Sequence, residues 1–294
     1  MDLKKLIEDK SLTDFPVGFG GCRTTNSFLD SCDYDITVFD DKPDSEKIIF
    51  YDDAFVKIHH GSITETKSDI LVKYDGMQII HDDSWELRML LSKIKEKRLT
   101  LYKDYAKNCL FNSLFCCEKT KEGITTSNIF SSCWQICASY FLADAICLLN
   151  TYRPNPTHML DVMRKFKKNQ INEHISTVTH TVGIERATPF LLERILKSTI
   201  GFSDFVEKND HSKIIQKKHE LLVKNSMLSD CYFYLGYINR DNFVRIKDTI
   251  DRQSDLIHIL KVAFDIEADS NLLENHTKLI QKSCSSILTL LSSA

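Results

Sequence analysis

The chain has 294 residues, 43% of them hydrophobic and 27% charged, with only nine Gly and five Pro. These proportions suit a folded globular chain and exclude a disordered, collagenous or linker-rich one. The net charge of −3 is unevenly laid out: residues 1–83 hold nine Lys/Arg against eighteen Asp/Glu, and the remainder is net basic. An acidic half suits metal binding, and a basic half suits a phosphate-bearing partner.

In chain order, residues 1–10 predict a short amphipathic helix with Leu3, Leu6 and Ile7 on its apolar side. The run 15–19 reads as a strand ending in Gly20-Gly21, and residues 24–30 as one short helix. Asp33-Tyr34-Asp35 opens a second strand, Ile36 to Phe39, followed by a turn-rich stretch Asp40 to Glu46. Four β-prone runs come next: 47–51, 55–59, 70–74 and 77–80. Asp52-Asp53 is expected to turn the first pair, and Asp75-Gly76 to close the second pair as a hairpin. Residues 1–83 therefore read as a mixed sheet domain.

From Ser84, a capping candidate, the apolar period becomes helical, starting with Leu87, Leu90, Leu91 and Ile94. Helices are expected over 84–98, 99–119, 127–150, 157–168, 170–181, 187–207, 211–225, 229–235, 241–264 and 270–292. Breaks are expected at Gly123, Pro154/Pro156, Gly183, Gly201 and Gly236. Residues 84–294 thus form an all-α bundle, and the fold class is α+β. No apolar stretch is expected to span a membrane, and the Met-Asp-Leu-Lys-Lys start has no signal-peptide core, so the expected location is cytoplasmic. Cysteines such as Cys109, Cys116, Cys117, Cys133, Cys137 and Cys147 sit among Leu, Phe and Ala, where a thiol packs as a small hydrophobe.

The chemistry concentrates around Asp33 and Asp35. Strand side chains alternate, so the two aspartates face one way and Tyr34 the other. Two carboxylates that close repel unless positive charge sits between them. A hard dication, Mg²⁺ or Mn²⁺, takes oxygen ligands and keeps positions open for substrate phosphates. Gly20-Gly21 lets a triphosphate approach the backbone, and amides at a following helix start bind its oxygens. With the eleven-residue spacer from Gly21 to Asp33, this constellation resembles the nucleotidyltransferase superfamily that includes kanamycin nucleotidyltransferase, the minimal nucleotidyltransferases and polymerase beta. The sheet-then-helices layout resembles the pairing of minimal nucleotidyltransferases with HEPN helical domains.

The resemblance implies that Gly20, Gly21 and Arg23 hold the triphosphate, with Thr24 and Thr25 beside them, while Asp33 and Asp35 bind the metal. It also implies a third carboxylate on a later strand, acting as general base or metal ligand. Asp69, ahead of the run 70–74, is the first candidate. In a second register Gly76-Met-Gln-Ile-Ile-His-Asp82 matches the family segment after the third strand. That strand is then 55–60, with Lys57, His59 and His60 but no acid, leaving Asp53 as a substitute or the third acid lost.

Arg153-Pro-Asn-Pro-Thr-His158 has the Arg/His spacing of HEPN ribonucleases, with a proline-stiffened loop capped by Thr157 as the structural alternative. A middle reading makes Arg153 and His158 substrate contacts. Asp82-Asp83 reads as a helix-start pair, and the basic runs 93–98 and 164–168 as solvated helix faces.

The leading expectation is a Mg²⁺-dependent transfer of a nucleoside monophosphate from an NTP to a hydroxyl acceptor: a small molecule, an RNA end or a protein hydroxyl. A second copy of the chain, in a homodimer, is an optional partner; a membrane is not expected. The alternatives are a nucleotide-binding regulatory module without turnover and a HEPN-like RNA-acting protein.

Overall fold

The computed structural model of the chain describes residues 1–25, 28–42, 46–207, 210–266 and 269–293. The fold is α+β, with two compact units: Met1–Tyr105 with Asn209–Ile214, and Ala106–Lys208 with Ile215–Ala294.

The first unit is built on a five-stranded mixed sheet of order β3-β4-β2-β1-β5. Strand β1 (Val17–Gly20) runs antiparallel to both β2 (Tyr34–Val38) and β5 (Gln78–His81). Strand β4 (Ala54–His60) lies parallel to β2 and antiparallel to β3 (Glu46–Tyr51). The β3–β4 turn falls at Asp52-Asp53 as expected, both residues having positive φ, 49° and 59°, the backbone that matches strand twist in a two-residue hairpin.

Helix α1 (Leu3–Asp9) is capped by the Asp2 carboxylate, which accepts from the Lys4 and Lys5 amides. It buries Leu6 and Ile7 on one sheet face against Val17, Ile36, Val38, Val56 and Ile58. The stretch Asp40 to Glu46 includes residues 43–45, which lie outside the described residues.

The strand expected over Ile70–Tyr74 is instead helix α2 (Ser68–Tyr74). Its buried residues Leu71 and Tyr74 are three apart, on one helical face packed with Leu87, Leu90 and Ile94. Asp69 in the first turn suits the helix dipole. Asp75-Gly76 is therefore the exit of a helix rather than a hairpin turn, with Gly76 at φ 73°. Helix α3 (Glu86–Glu96) packs with Phe39 and Met77 on the sheet face opposite α1, its Leu87 lying over Gly18, which is why the unit continues beyond residue 83. Its cap is Asp82, accepting from the Leu87 and Arg88 amides, and not Ser84, whose hydroxyl donates to Glu86.

The second unit is helical. Helix α4 (Arg98–Thr126) runs into it from the first unit. It is followed by α5 (Ser131–Leu149), α6 (Met159–Lys165), α7 (Ile175–Val182), α8 (Pro189–Glu207), α9 (His211–Lys224), whose first four residues belong to the first unit, α10 (Leu228–Arg245), α11 (Ile257–Ala263) and α12 (Ser270–Ser293). Contrary to the sequence expectation, α5 is long and apolar enough to cross a membrane. It is the core of this unit, buried at every residue from Cys133 to Leu148.

Three expected breaks are absent, because α4, α8 and α10 run through Gly123, Gly201 and Gly236. At Gly236 the reason is packing: a Cβ there would lie 2.1 Å from the Tyr140 hydroxyl oxygen. The glycine lets α10 approach α5 closely. The helix expected over 241–264 divides, because the polar stretch after Arg245 forms two short 3₁₀ turns before α11. All ten cysteines are buried, and burial raises the thiol pKa of Cys133 and Cys137.

Candidate functional site

The register of the sheet builds the site in the first unit. Gly20 lies opposite Asp35 across the β1–β2 pair, and Asp35 lies beside Lys57 across the parallel β2–β4 pair. Thr37 is beside His59 and Glu46 opposite His59, so the side chains of Asp35, Lys57, His59 and Glu46 share one sheet face. Gly21 turns away at φ 75°. A Cβ there would stand 1.9 Å from Asp35 Oδ2, so only glycine admits the aspartate over the bend.

Each carboxylate in this group has a cation on it. Lys57 Nζ is 3.1 Å from Asp33 Oδ2, with the two side chains 15% and 4% exposed. His59 Nε2 is 3.4 Å from Asp35 Oδ1, and its Nδ1 is 3.3 Å from Glu46 Oε2. His211, at the start of α9, places Nε2 3.5 Å from Lys57 Nζ.

Burial alone would depress the His59 pKa, but the hydrogen bonds and charges of Asp35 and Glu46 outweigh it and raise the value to about 9. Burial likewise pushes Glu46 up, and His59, Lys57 and His211 outweigh it, taking Glu46 down to about 2. His59 is thus an imidazolium at neutral pH, with both ring nitrogens donating.

This donor set does not fit a hard dication. One oxygen of each aspartate, Asp33 Oδ2 and Asp35 Oδ1, is held by Lys57 and His59, and Mg²⁺ or Mn²⁺ bound there would have to displace both cations and meet their repulsion.

The remaining sequence candidates lie elsewhere or serve the loop. Asp69 is in the first turn of α2 rather than ahead of a strand. Asp53 is exposed in the β3–β4 turn. The strand expected over 55–60 is β4 (Ala54–His60), which carries Lys57, His59 and His60 and no acid.

Arg23 donates from Nε to the Cys32 carbonyl at 2.6 Å and from Nη2 to the Asp30 carbonyl at 3.1 Å. Its guanidinium stacks 4.2 Å from the Tyr34 ring centre and 5.2 Å from that of Phe28, closing the loop between β1 and β2. Thr24 and Thr25 hydroxyls donate to the Gly21 and Cys22 carbonyls within the same bend. Of the helix expected over 24–30, residues 26–27 lie outside the described residues; a single 3₁₀ turn, Cys22–Thr24, is present.

In the helical unit, Arg153 is half-buried in the segment before α6, and His158 is buried at the residue preceding that helix. The Asn155 side chain, not Thr157, accepts a backbone amide there, that of Thr157. The basic runs are partly engaged: Arg98 with Asp75, Arg164 with Asp230 and Lys165 with Asp161.

Glu46 and His211 are the site residues that the sequence reading missed. Glu46 sits at the end of the expected turn stretch, and His211 is 154 residues from Lys57. One signal was available for the others. Asp33-x-Asp35 and Lys57-x-His59 alternate in step, and side-by-side parallel strands bring two such patterns face to face. No protein-family model matches the chain, and no curated protein matches its sequence.

Proposed function

We propose that the first unit is a nucleotidyltransferase-like module that binds a nucleoside triphosphate without transferring its nucleotidyl group, and that the chain acts in the cytoplasm as a nucleotide-responsive binding protein. The observation that carries this reading is the pairing of Asp33 with Lys57 and of Asp35 with His59. The family chemistry needs those carboxylates open to a metal and a deprotonated base beside it. Here the positive charge is part of the chain, held on β4 where the resemblance implies the third acid.

A triphosphate approaching the Gly20-Gly21 bend meets Lys57 and His59 as its counter-charges, exchanging their carboxylate partners for phosphate oxygens. The ten buried thiols suit a reducing compartment.

Two measurements on the full chain test the proposal. Labelled ATP, GTP, CTP and UTP are titrated with Mg²⁺ and with EDTA, and pyrophosphate release is followed in the presence of Mg²⁺. The expected result is nucleotide binding that EDTA leaves intact, with no pyrophosphate. Mg²⁺-dependent pyrophosphate release that Asp33→Asn abolishes would restore the enzyme reading. Absence of binding for all four nucleotides would remove the nucleotide from the proposal.

A further inference from the structure

The helical unit contains a second constellation, remote in sequence from the aspartates and independent of the function proposed above. An open surface pocket of about 140 Å³ is lined by His180, Glu185 and Asp269, all exposed, and by half-buried His276, Arg186 and Asp265, among others. His180 is in the last turn of α7 and His276 is on α12. Their ring centres are 5.0 Å apart with the planes at 70°. The two helices are tied by Ser283, which donates to the Thr177 hydroxyl at 3.2 Å.

The geometry points to a site for a divalent transition-metal ion, Zn²⁺, Ni²⁺ or Cu²⁺, held by His180 and His276. A metal about 2.0–2.1 Å from a ring nitrogen lies about 3.2 Å from the ring centre, and a tetrahedral angle then sets two ring centres about 5.2 Å apart. The observed 5.0 Å matches that separation.

Charge favours a dication there. Three carboxylates line the pocket against one guanidinium, and Arg186 is neutralised by Asp265, 3.3 Å from its Nε. The carbonyl end of the α7 dipole, where His180 sits, adds negative potential. Imidazole donors select the later first-row metals over Mg²⁺ and Ca²⁺.

No described carboxylate or thiol completes a three-ligand set with the two rings. The remaining positions therefore go to water or to a small ligand's donor atom, and the pocket has room for about four waters at about 30 Å³ each. Such an ion has open coordination positions and can bind or polarise an exogenous ligand.

Isothermal titration of the full chain with Ni²⁺, Zn²⁺ and Mg²⁺ tests the inference. The expected result is one Ni²⁺ or Zn²⁺ per chain at micromolar affinity and no Mg²⁺. His180→Ala and His276→Ala should each weaken binding at least tenfold, and His258→Ala, an exposed histidine on α11, should not. In the unaltered protein, Ni²⁺ should broaden the imidazole resonances of His180 and His276. Binding that survives either substitution unchanged, broadening confined to other histidines, or no uptake of Ni²⁺ and Zn²⁺ would overturn the assignment.

Discussion

Replacing Lys57 with methionine isolates the cation that Asp33 depends on. Lys57 Nζ lies 3.1 Å from Asp33 Oδ2, and the aspartate side chain is only 4% exposed. Without the ammonium, a carboxylate held away from water loses this counter-charge, and removing one member of a buried pair costs about 3–5 kcal/mol. Because Lys57 retains 15% exposure, water can partly replace it, which places the expected loss at the lower end, about 3 kcal/mol. The double replacement Asp33→Leu with Lys57→Met removes both charges, and swaps of that kind are often neutral, so it should lie within about 1 kcal/mol of the unaltered protein. Urea unfolding at pH 7, followed by circular dichroism, reads both effects as shifts of the midpoint at constant slope. A Lys57→Met protein within about 0.5 kcal/mol of the parent, a typical surface-substitution effect, would refute the reasoning. A double variant no more stable than the single one would refute it equally.

Three further outcomes follow from the packing. His59, with its pKa raised to about 9 by Asp35 and Glu46 against the opposing effect of burial, contributes stability fully present below about pH 6.5 and lost as pH rises towards 9. Its side chain is 35% exposed, and after solvent screening the loss should be about 1–2 kcal/mol; denaturation between pH 6 and 10 should show it, and His59→Gln should flatten the profile. Gly236→Ala puts a methyl group 2.1 Å from the Tyr140 hydroxyl and should cost about 2 kcal/mol, part of it recovered by adding Tyr140→Phe; equal midpoints for parent and variant would contradict the close approach. His219 is 2% exposed; neither ring nitrogen has a hydrogen-bond partner, and the Glu193 carboxylate is 3.9 Å from Nε2. Burial lowers its pKa, so its neutral form supports the fold above about pH 6.5, and that support is lost as pH falls through the lowered value. His219→Leu should therefore raise stability by about 1 kcal/mol at pH 7 and more at pH 5, and a destabilised variant would count against it.

Where local chemistry decided the structure, the sequence was legible. The Asp52-Asp53 turn, the amphipathic α1 and the diglycine facing Asp35 all depend on residues near one another in the chain. Ile70–Tyr74 was misread because a β-branched run followed by Asp-Gly imitates a hairpin strand, while burial against α3, invisible locally, selects a helix. The glycines of α4, α8 and α10 look like breaks until the neighbouring helix is in place. Asp33 and Asp35 announce a charged site, but its sign balance depends on which strand lies beside them. Only the parallel β2–β4 register shows that the neighbours are Lys57 and His59. His211 reaches the same group from a distant part of the chain, a placement no spacing rule could give.

The central claim is that the chain's own cations hold Asp33 and Asp35 closed to a metal. Titration of Mn²⁺ into the full chain, followed by the electron paramagnetic resonance of the aqueous ion, tests it most directly. The unaltered protein should leave that signal undiminished, whereas Lys57→Ala with His59→Ala, which releases both carboxylates, should remove one ion per chain. Uptake of Mn²⁺ by the unaltered protein that disappears in Asp33→Asn would contradict the claim.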